Sequence, residues 1–192
     1  MNNKTKFKMI QKIYTRVEIP TFLKLLGLTD NICELGVAAG GYLFPLITQS
    51  HPKNCLAMDA WSEEVCPYYS QDKHDRNLTH VHKIFKDVKK WAGTSLDVVK
   101  GDHDLLVDNY EDESFDFIYI DTDHSYKVTE SCIRLWWPKV KKGGILAGHD
   151  YNSRNKLYGV VEAVDEFVEK NNIQYFHTTS EYPKSWIILK DE

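Results

Sequence analysis

The chain has 192 residues, of which 42% are apolar and 27% are charged. This length suits one domain with a core large enough to fold without disulfides. There are 24 lysine and arginine residues against 28 aspartate and glutamate residues, a formal charge of −4 with neutral histidines. So slight an acidic excess disfavours a nucleic-acid binder, which needs a basic face to displace counterions from phosphates.

Membrane insertion and secretion are also disfavoured by the sequence. No stretch approaches the ~20 consecutive apolar residues of a membrane span, and the lysine-rich first residues lack the apolar core of a secretory signal. The cysteines show no C-x-x-C spacing of the kind found in zinc or redox sites. We interpret them as small apolar residues of a reduced protein, which predicts a cytoplasmic location.

Short apolar runs alternate with longer stretches of helical period, the pattern of βαβ units around a parallel sheet. The N-terminal segment predicts two short helices, separated at Pro20 and ending at Gly27. The apolar runs predict seven strands, over residues 31–35, 54–58, 96–100, 115–120, 145–148, 174–178 and 185–189. Helices are predicted between them, over residues 41–49, 81–91, 128–140 and 160–170.

These elements predict an α/β fold, a doubly wound and mostly parallel Rossmann-like sheet with helices on both faces. The last two strands follow each other closely, so we expect them to pair in an antiparallel manner. The whole chain, 1–192, is interpreted as a single domain. Within it, residues 1–29 form an N-terminal helical cap and residues 30–192 form the sheet.

Polar side chains follow strand after strand, at the edge where open parallel sheets bind ligands. The first strand contains Glu34 and leads into a turn with Gly36 and Gly40, whose missing Cβ atoms let a ligand approach the backbone. Asp59 follows the second strand, where a carboxylate can accept two hydrogen bonds from a ribose diol. The polar residues after the third, fourth and fifth strands are Asp102, His103, Asp121, Asp123, His124, His149, Asp150 and Asn152.

Each of these signals also has a purely structural interpretation. A glycine-rich turn after a strand is common in α/β proteins, and Asp59 alone could cap a helix. Trp61 suits either the core or the wall of a pocket. The spacing E-x-G-x-x-x-G differs from the dinucleotide pattern G-x-G-x-x-G, so an NAD-dependent oxidoreductase is a less favoured alternative.

Two longer motifs carry a resemblance to a known family. The fourth-strand region has the sequence IDTDHSY from Ile120 to Tyr126, and the fifth-strand region has GGILAGHDY from Gly143 to Tyr151. With these motifs, residues 30–151 resemble class I S-adenosylmethionine-dependent methyltransferases, in particular a small bacterial group with the motifs IDxDHSY and GGxxxGHDY. The resemblance implies S-adenosylmethionine as cofactor and a seven-stranded sheet with an antiparallel last strand, in agreement with the predicted elements.

The resemblance also implies where parts of the cofactor lie. The methionine part would lie by the glycine turn, the ribose at the end of the second strand, the adenine near the third strand, and the sulfonium after the fourth. Carboxylates around this cleft would favour the cationic sulfonium electrostatically. The cofactor-binding candidates are, in the same order, Glu34, Gly36 and Gly40, then Asp59, then Trp61, Asp102 and His103, and last Asp121.

A hydroxyl acceptor has to lose its proton, and the sequence leaves two ways open. One is a metal ion, since Asp123, Asp150 and Asn152 offer oxygen ligands at adjacent strand ends, which suits Mg²⁺. The other is a general base, because histidines titrate near neutral pH. The catalytic candidates are His124, His149 and Asp121.

We therefore expect methyl transfer to a small molecule, most simply at a hydroxyl oxygen, without nucleic-acid or membrane partners. The acceptor would be bound by additions outside the sheet, namely the N-terminal helices, residues 61–82 and the loop 151–158. The short chain leaves little room for a substrate domain, so a homodimer whose second subunit contributes to the site stays open. The main alternative is a non-catalytic module that binds S-adenosylmethionine or S-adenosylhomocysteine.

Overall fold

The computed structural model describes residues 1–152 and 158–191. Its helices are α1 (Asn3–Ile10), α2 (Ile19–Leu26), α3 (Leu43–Ser50), α4 (Gln71–Phe85), α5 (Val88–Ala92), α6 (His103–Leu106), α7 (Tyr126–Trp136) and α8 (Val160–Lys170), with 3-10 turns at Arg16–Glu18 and Val107–Asn109. Its strands are β1 (Asn31–Leu35), β2 (Asn54–Asp59), β3 (Ser95–Lys100), β4 (Phe115–Ile120), β5 (Val140–Tyr151), β6 (Phe176–Thr178) and β7 (Lys184–Leu189).

The strands form one sheet in the order β3-β2-β1-β4-β5-β7-β6. The first five strands of the chain pair in parallel, whereas β7 is antiparallel to both β5 and β6. The predicted doubly wound sheet with an antiparallel last strand is therefore confirmed. Strand order reverses between β1 and β4, and ligands of such sheets bind at the carboxyl ends of the strands beside this reversal.

Alternate residues of the central strands pack into two cores, one on each face of the sheet. Ile32 of β1 and Phe117 of β4 lie in the core that is covered by α1 to α5. Cys33 and Ile118, the next residue of each strand, lie in the core that is covered by α7 and α8. Within residues 1–152 and 158–191, none of the helices has the length and apolar character needed to cross a membrane.

The N-terminal helices differ from the prediction in where they are separated. The chain leaves α1 after Ile10, and Pro20 lies in the first turn of α2 rather than between the helices. A first-turn residue has no intrahelical partner for its N–H, so proline is tolerated there. Helix α2 ends as predicted at Gly27, which adopts the left-handed conformation with φ 71°.

Two other helices also have different bounds. The helix predicted over residues 81–91 begins ten residues earlier, at Gln71, and is interrupted after Phe85 before α5 begins. The helix predicted over residues 128–140 ends at Trp136, because Pro138 has no N–H to continue it. Val140 instead begins β5, which is longer than the predicted strand.

The end of β1 passes very close to the end of β4. Gly36 has φ +88°, and a Cβ atom added there would lie 2.1 Å from the carbonyl oxygen of Asp121. At this position glycine therefore provides both the left-handed conformation and the space that the neighbouring strand needs.

Replacing Gly36 with alanine should lower the free energy of unfolding by about 2–4 kcal/mol, because the ends of β1 and β4 would have to separate. Gly41→Ala is the matched control, since an added Cβ meets nothing within 4 Å there, and it should change stability by less than about 0.5 kcal/mol. Urea denaturation followed by circular dichroism measures both. Equal stability of the two variants would contradict the close approach.

Candidate functional site

The carboxyl ends of β1, β2, β4 and β5 bring together most of the polar residues singled out in the sequence. Glu34 lies in β1, Asp59 ends β2, Asp121 follows β4, and His149 and Asp150 lie near the end of β5. A groove of about 340 Å³ lies at the opposite edge, by the first residues of β1, β2 and β3. Because ligands of parallel sheets bind at the carboxyl ends of the strands, we place the functional site at the edge with Glu34, Asp59 and Asp121.

Asp59 braces the glycine turn. One oxygen of its carboxylate, Oδ2, accepts the backbone N–H of Ala38 at 2.8 Å, and the other, Oδ1, accepts the N–H of Trp61 at 2.7 Å. Each oxygen of a carboxylate has lone pairs for more than one hydrogen bond. The contacts with the turn therefore leave Asp59 able to accept from a ligand diol as well.

Trp61 and Gly40 pack the glycine turn against the rest of the protein. The Trp61 side chain is fully buried, and its indole N–H donates to the Ala38 carbonyl at 2.8 Å. A Cβ added at Gly40 would lie 3.2 Å from the Phe85 ring, so this glycine makes room for α4. In this structure both residues support the turn, and their direct contact with a cofactor stays a prediction.

Glu34 is a buried carboxylate in the middle of the site. Its residue is 1% exposed, and Oε2 has no hydrogen-bond partner among the described residues. Burial raises the pKa of this carboxyl well above its usual range, the charge of Asp121 raises it further, and Arg16 opposes both. A buried acceptor without a partner is costly, so a cationic ligand group is a fitting partner for it.

Arg16 belongs to the site, although no sequence motif pointed to it. The 3-10 turn at Arg16–Glu18 carries it over the end of the sheet, where its Nη1 lies 3.1 Å from Asp121 Oδ2. Its guanidinium carbon is 4.8 Å from the centre of the Tyr42 ring. The sequence offered only an isolated arginine between two short helices, which is too common a feature to indicate a site.

Two histidines and two carboxylates form a cluster at the ends of β4 and β5. The Asp150 Oδ2 atom lies 3.1 Å from His149 Nδ1 and 3.4 Å from His124 Nδ1. His149 Nδ1 is also 3.9 Å from Asp121 Oδ1. The sequence placed all four side chains after neighbouring strands, and the structure brings them into contact.

An irregularity in β5 makes this cluster possible. Gly148 pairs with Trp186, but the next pair joins Tyr151 to Lys184, so three steps along β5 match two along β7. Such a bulge re-aims the side chains of a strand. Asp150 lies within it at φ 55°, a left-handed conformation that is uncommon for non-glycine residues, although aspartate tolerates it better than most.

The two carboxylates of the cluster have opposite pKa shifts. Burial raises the pKa of Asp121, against the lowering effect of His149 and Arg16. Burial also acts on Asp150, but the hydrogen bond with His149 and the nearby His124 outweigh it and lower its pKa. Asp150 is therefore the carboxylate that is held as an anion next to both histidines.

A divalent ion could be held here by a set of ligands that differs from the predicted one. The ligand atoms of Asp121, His124 and Asp150 lie within 4.8 Å of one another. Because this group includes an imidazole, it suits Mn²⁺, Fe²⁺ or Zn²⁺ better than Mg²⁺, which prefers oxygen ligands. Asp121 and His124 here stand in the place of Asp123 and Asn152.

The other two predicted metal ligands have structural partners. Asp123 Oδ1 accepts the N–H of Ser125 at 2.8 Å, and Asn152 donates its amide to the Tyr182 hydroxyl at 2.8 Å. A Mg²⁺ site made by Asp123, Asp150 and Asn152 stays a prediction, and none of these contacts adds support for it.

Asp102 and His103 lie after β3, as predicted. Asp102 caps α6 by accepting the N–H of Asp104 at 2.8 Å. His103 Nδ1 lies 2.8 Å from Asp104 Oδ1, and the ring also contacts the Cys132 thiol at 3.5 Å. These residues form a second polar group between α6 and α7, and their nearness to an adenine stays a prediction.

A comparison with protein families assigns the fold and the cofactor class. Residues 33–151, well over half of the chain, match the family described as "Methyltransferase domain". The chain belongs to the class I S-adenosylmethionine-dependent methyltransferases. This methyltransferase is also 23% identical over 107 residues to the uncharacterized protein y4gI of Sinorhizobium fredii (strain NBRC 101917 / NGR234), an alignment that covers 55% of the chain but only 11% of that protein.

Solved structures share the fold of this methyltransferase at low sequence identity. A proposed caffeoyl-CoA O-methyltransferase from Staphylococcus aureus has a TM-score of 0.67 at 14% identity, over 97% of this chain and 90% of that one. A proposed S-adenosylmethionine-dependent methyltransferase from Methanococcus maripaludis has a TM-score of 0.59 at 15% identity, over 98% and 92%. Spermidine synthase from Thermotoga maritima has a TM-score of 0.60 at 12% identity, and 98% of this chain spans 60% of it.

The residues of the methyltransferase fit the cofactor that its family implies. S-adenosylmethionine carries a sulfonium and an ammonium, and the site offers the unpartnered Oε2 of Glu34 with Asp121 nearby. The left-handed turn at Gly36 and the free acceptor capacity of Asp59 suit its methionyl and ribose parts. This fit rests on charge and hydrogen-bonding capacity, both of which can be tested by binding.

Asp59→Asn should weaken the binding of S-adenosylhomocysteine about tenfold or more, because an amide replaces one acceptor oxygen with a donor. Isothermal titration calorimetry measures the change. Asp72→Asn is the control, since Asp72 is exposed and pairs with Arg76 on the surface of α4. Unchanged affinity in the Asp59 variant would remove this residue from the site, and saturable binding of NADH would contradict the cofactor class.

Glu34→Gln should stabilise the protein at alkaline pH. The raised pKa means that folded Glu34 keeps its proton where the unfolded carboxyl, with a pKa near 4.5, has released it. This stabilising contribution is complete below the unfolded pKa and is lost as pH rises through the folded pKa. The amide cannot ionise, so the variant should be about 1–2 kcal/mol more stable at pH 8.

Urea denaturation between pH 5 and pH 9 tests this expectation, and the advantage of Glu34→Gln should shrink toward pH 5. The exposed Glu64→Gln is the matched control and should leave the pH dependence unchanged. A parallel decline of stability in the Glu34 variant and the original protein would show that the buried carboxylate does not cause it.

Proposed function

We propose that this methyltransferase transfers a methyl group from S-adenosylmethionine to a hydroxyl oxygen of a small molecule. The cofactor supplies a methyl group that its sulfonium already activates. What remains for the chain is to hold the acceptor in line with that group and to accept the proton of the hydroxyl. The observation that carries this proposal is the contact of His124 with Asp150 beside Asp121.

His124 is the better placed of the two histidines to act as the base. Its side chain is 32% exposed, against 15% for His149, which lies between two carboxylates. With the Nδ1 proton of His124 directed at Asp150, the lone pair of Nε2 can take a proton from an acceptor. The ring also packs against the Tyr158 ring, with 4.5 Å between the centroids, which restricts its orientation.

Asp150 and His149 would position and stabilise this base. An anionic Asp150 favours the imidazolium that forms when His124 gains a proton, as a carboxylate does beside any catalytic histidine. His149 shares the same Asp150 oxygen at 3.1 Å and so helps to keep that carboxylate ionised and oriented. Asp121, between Arg16 and His149, would lie beside the sulfonium.

An oxygen acceptor fits this arrangement better than an acceptor without a labile proton. A base beside the transfer site serves a hydroxyl, which is a weak nucleophile until its proton leaves. The fold shared with a proposed caffeoyl-CoA O-methyltransferase is compatible with this choice. A divalent ion on Asp121, His124 and Asp150 is the alternative means of activating the same hydroxyl.

We also propose that the acceptor is small. The additions to the sheet near the site are short, namely α1, α2 and the segment between β2 and α4. Part of the third predicted acceptor contact, residues 153–157, lies outside the described residues. A net charge of −4 gives nucleic acid little to bind. A cytoplasmic location, a single domain over the whole chain and a homodimer in which the partner completes the acceptor site remain parts of this proposal.

His124→Gln should lower kcat about 10²- to 10⁴-fold and leave the affinity for S-adenosylhomocysteine within threefold, because the residue acts on the acceptor proton. The measurement begins with a screen of small hydroxylated compounds, sugars included, for transfer of a radiolabelled methyl group. His80→Gln, an exposed histidine of α4, is the control and should keep full activity.

Treatment with EDTA separates the two means of activation. Activity that survives exhaustive chelation supports His124 as the base. Activity that is lost and then restored by Mn²⁺ or Mg²⁺ would overturn that role in favour of a metal ion. If the protein binds the cofactor but methylates no hydroxyl compound, the proposed acceptor class is wrong.

A further inference from the structure

Arg16 places a permanent positive charge among the carboxylates of the site. Its Nη1 donates to Asp121 Oδ2 at 3.1 Å, and 26% of its side chain is exposed. A guanidinium has five N–H donors in a planar fork. Among the described residues, Asp121 is the hydrogen-bond partner of this side chain. The other N–H donors can therefore face a ligand.

The backbone around Arg16 is held by several hydrogen bonds. The carboxylate of Glu18 accepts the N–H groups of Tyr14 and Thr15, both at 2.8 Å. The Arg16 N–H itself donates to the carboxylate of Glu181, which follows β6. The backbone is therefore fixed, and the guanidinium is held by Asp121 and the Tyr42 ring, so less side-chain entropy is lost when it binds a partner.

The neighbouring Glu34 is a buried carboxyl that a bound cationic group would favour in its anionic form. Its Oε2 is buried without a hydrogen-bond partner in the part of the chain that the structure describes, and the charges of Arg16 and Glu34 influence each other's ionisation. The methionyl end of S-adenosylmethionine is a zwitterion, with an ammonium and a carboxylate on the same carbon atom. Glu34 suits the ammonium, but it and Asp121 would repel the carboxylate.

We propose that Arg16 binds the α-carboxylate of S-adenosylmethionine and that the site thereby selects cofactor molecules with an intact amino-acid group. Asp121 orients one side of the guanidinium fork, and the carboxylate of the ligand takes the other. The inference rests on the cofactor site and not on the acceptor. It therefore holds whether or not the acceptor is a hydroxyl compound.

Calorimetry with two ligands tests this inference. S-adenosylhomocysteine has the carboxylate, whereas its decarboxylated analogue, the corresponding 3-thiopropylamine, lacks it and keeps the ammonium. Arg16→Gln should weaken the binding of S-adenosylhomocysteine about 10- to 100-fold, which is the usual effect of losing a charge-assisted hydrogen bond. The decarboxylated ligand should bind with unchanged or tighter affinity, because the site becomes more negative.

The decarboxylated ligand also serves as an internal control for folding, since it reports on an intact site. Arg16→Lys keeps the charge without the fork and should give an intermediate loss. Arg134→Gln, which removes an exposed ion pair of α7, should change neither affinity.

Three results would overturn the inference. The original protein could bind both ligands with equal affinity. Arg16→Gln could lower the affinity for both ligands by the same factor, or it could leave both affinities unchanged. If Arg16→Gln does not fold, the same comparison with Arg16→Lys decides, because only a carboxylate contact changes the ratio of the two affinities. None of these binding results depends on the acceptor screen, so the proposed function can fail separately.

Discussion

The close approach of β1 and β4 at their carboxyl ends sets the geometry of the site. The N–H of Asp121 donates to the Leu35 carbonyl at 2.8 Å, and the N–H of Gly36 donates to the Met58 carbonyl of β2 at 2.9 Å. These bonds hold three strand ends together, with no room for a side chain at Gly36. As a consequence, Glu34, Asp59 and Asp121 converge where the strand order reverses, although they are far apart in the sequence.

Convergence of carboxylates has an electrostatic cost, and the fold compensates for it only in part. Asp121 has Arg16 and His149 as neighbours, and Asp150 has both histidines of the cluster. Glu34 stays buried with an unsatisfied oxygen. Removing water from a charged group is costly unless a partner replaces the water. A site that is left incompletely paired in this way would gain most from a cationic ligand, and the lost stability would be the cost of that binding.

The two central strands were predictable to the residue, whereas polar surface elements were not. β1 and β4 are buried apolar runs bounded by turn residues, and their observed bounds are those predicted. The sequence did not predict the first ten residues of α4, because they are mostly exposed and show no apolar period. The early end of α7 depends on Pro138. The length of β5 depends on its pairing with β7, which is distant in sequence.

By itself, the sequence determined the fold class and most of the polar residues that meet at the carboxyl edge of the sheet, because both follow from local patterns. Buried strands need apolar runs, and the carboxyl ends of parallel strands meet at one edge, so the residues after each strand could be named in advance. Only the tertiary structure decided which of them touch. The bulge in β5 joins Asp150 to His124, and the N-terminal turn brings Arg16 to Asp121 across the sheet. Such contacts depend on distances between segments remote in sequence, which no local pattern encodes.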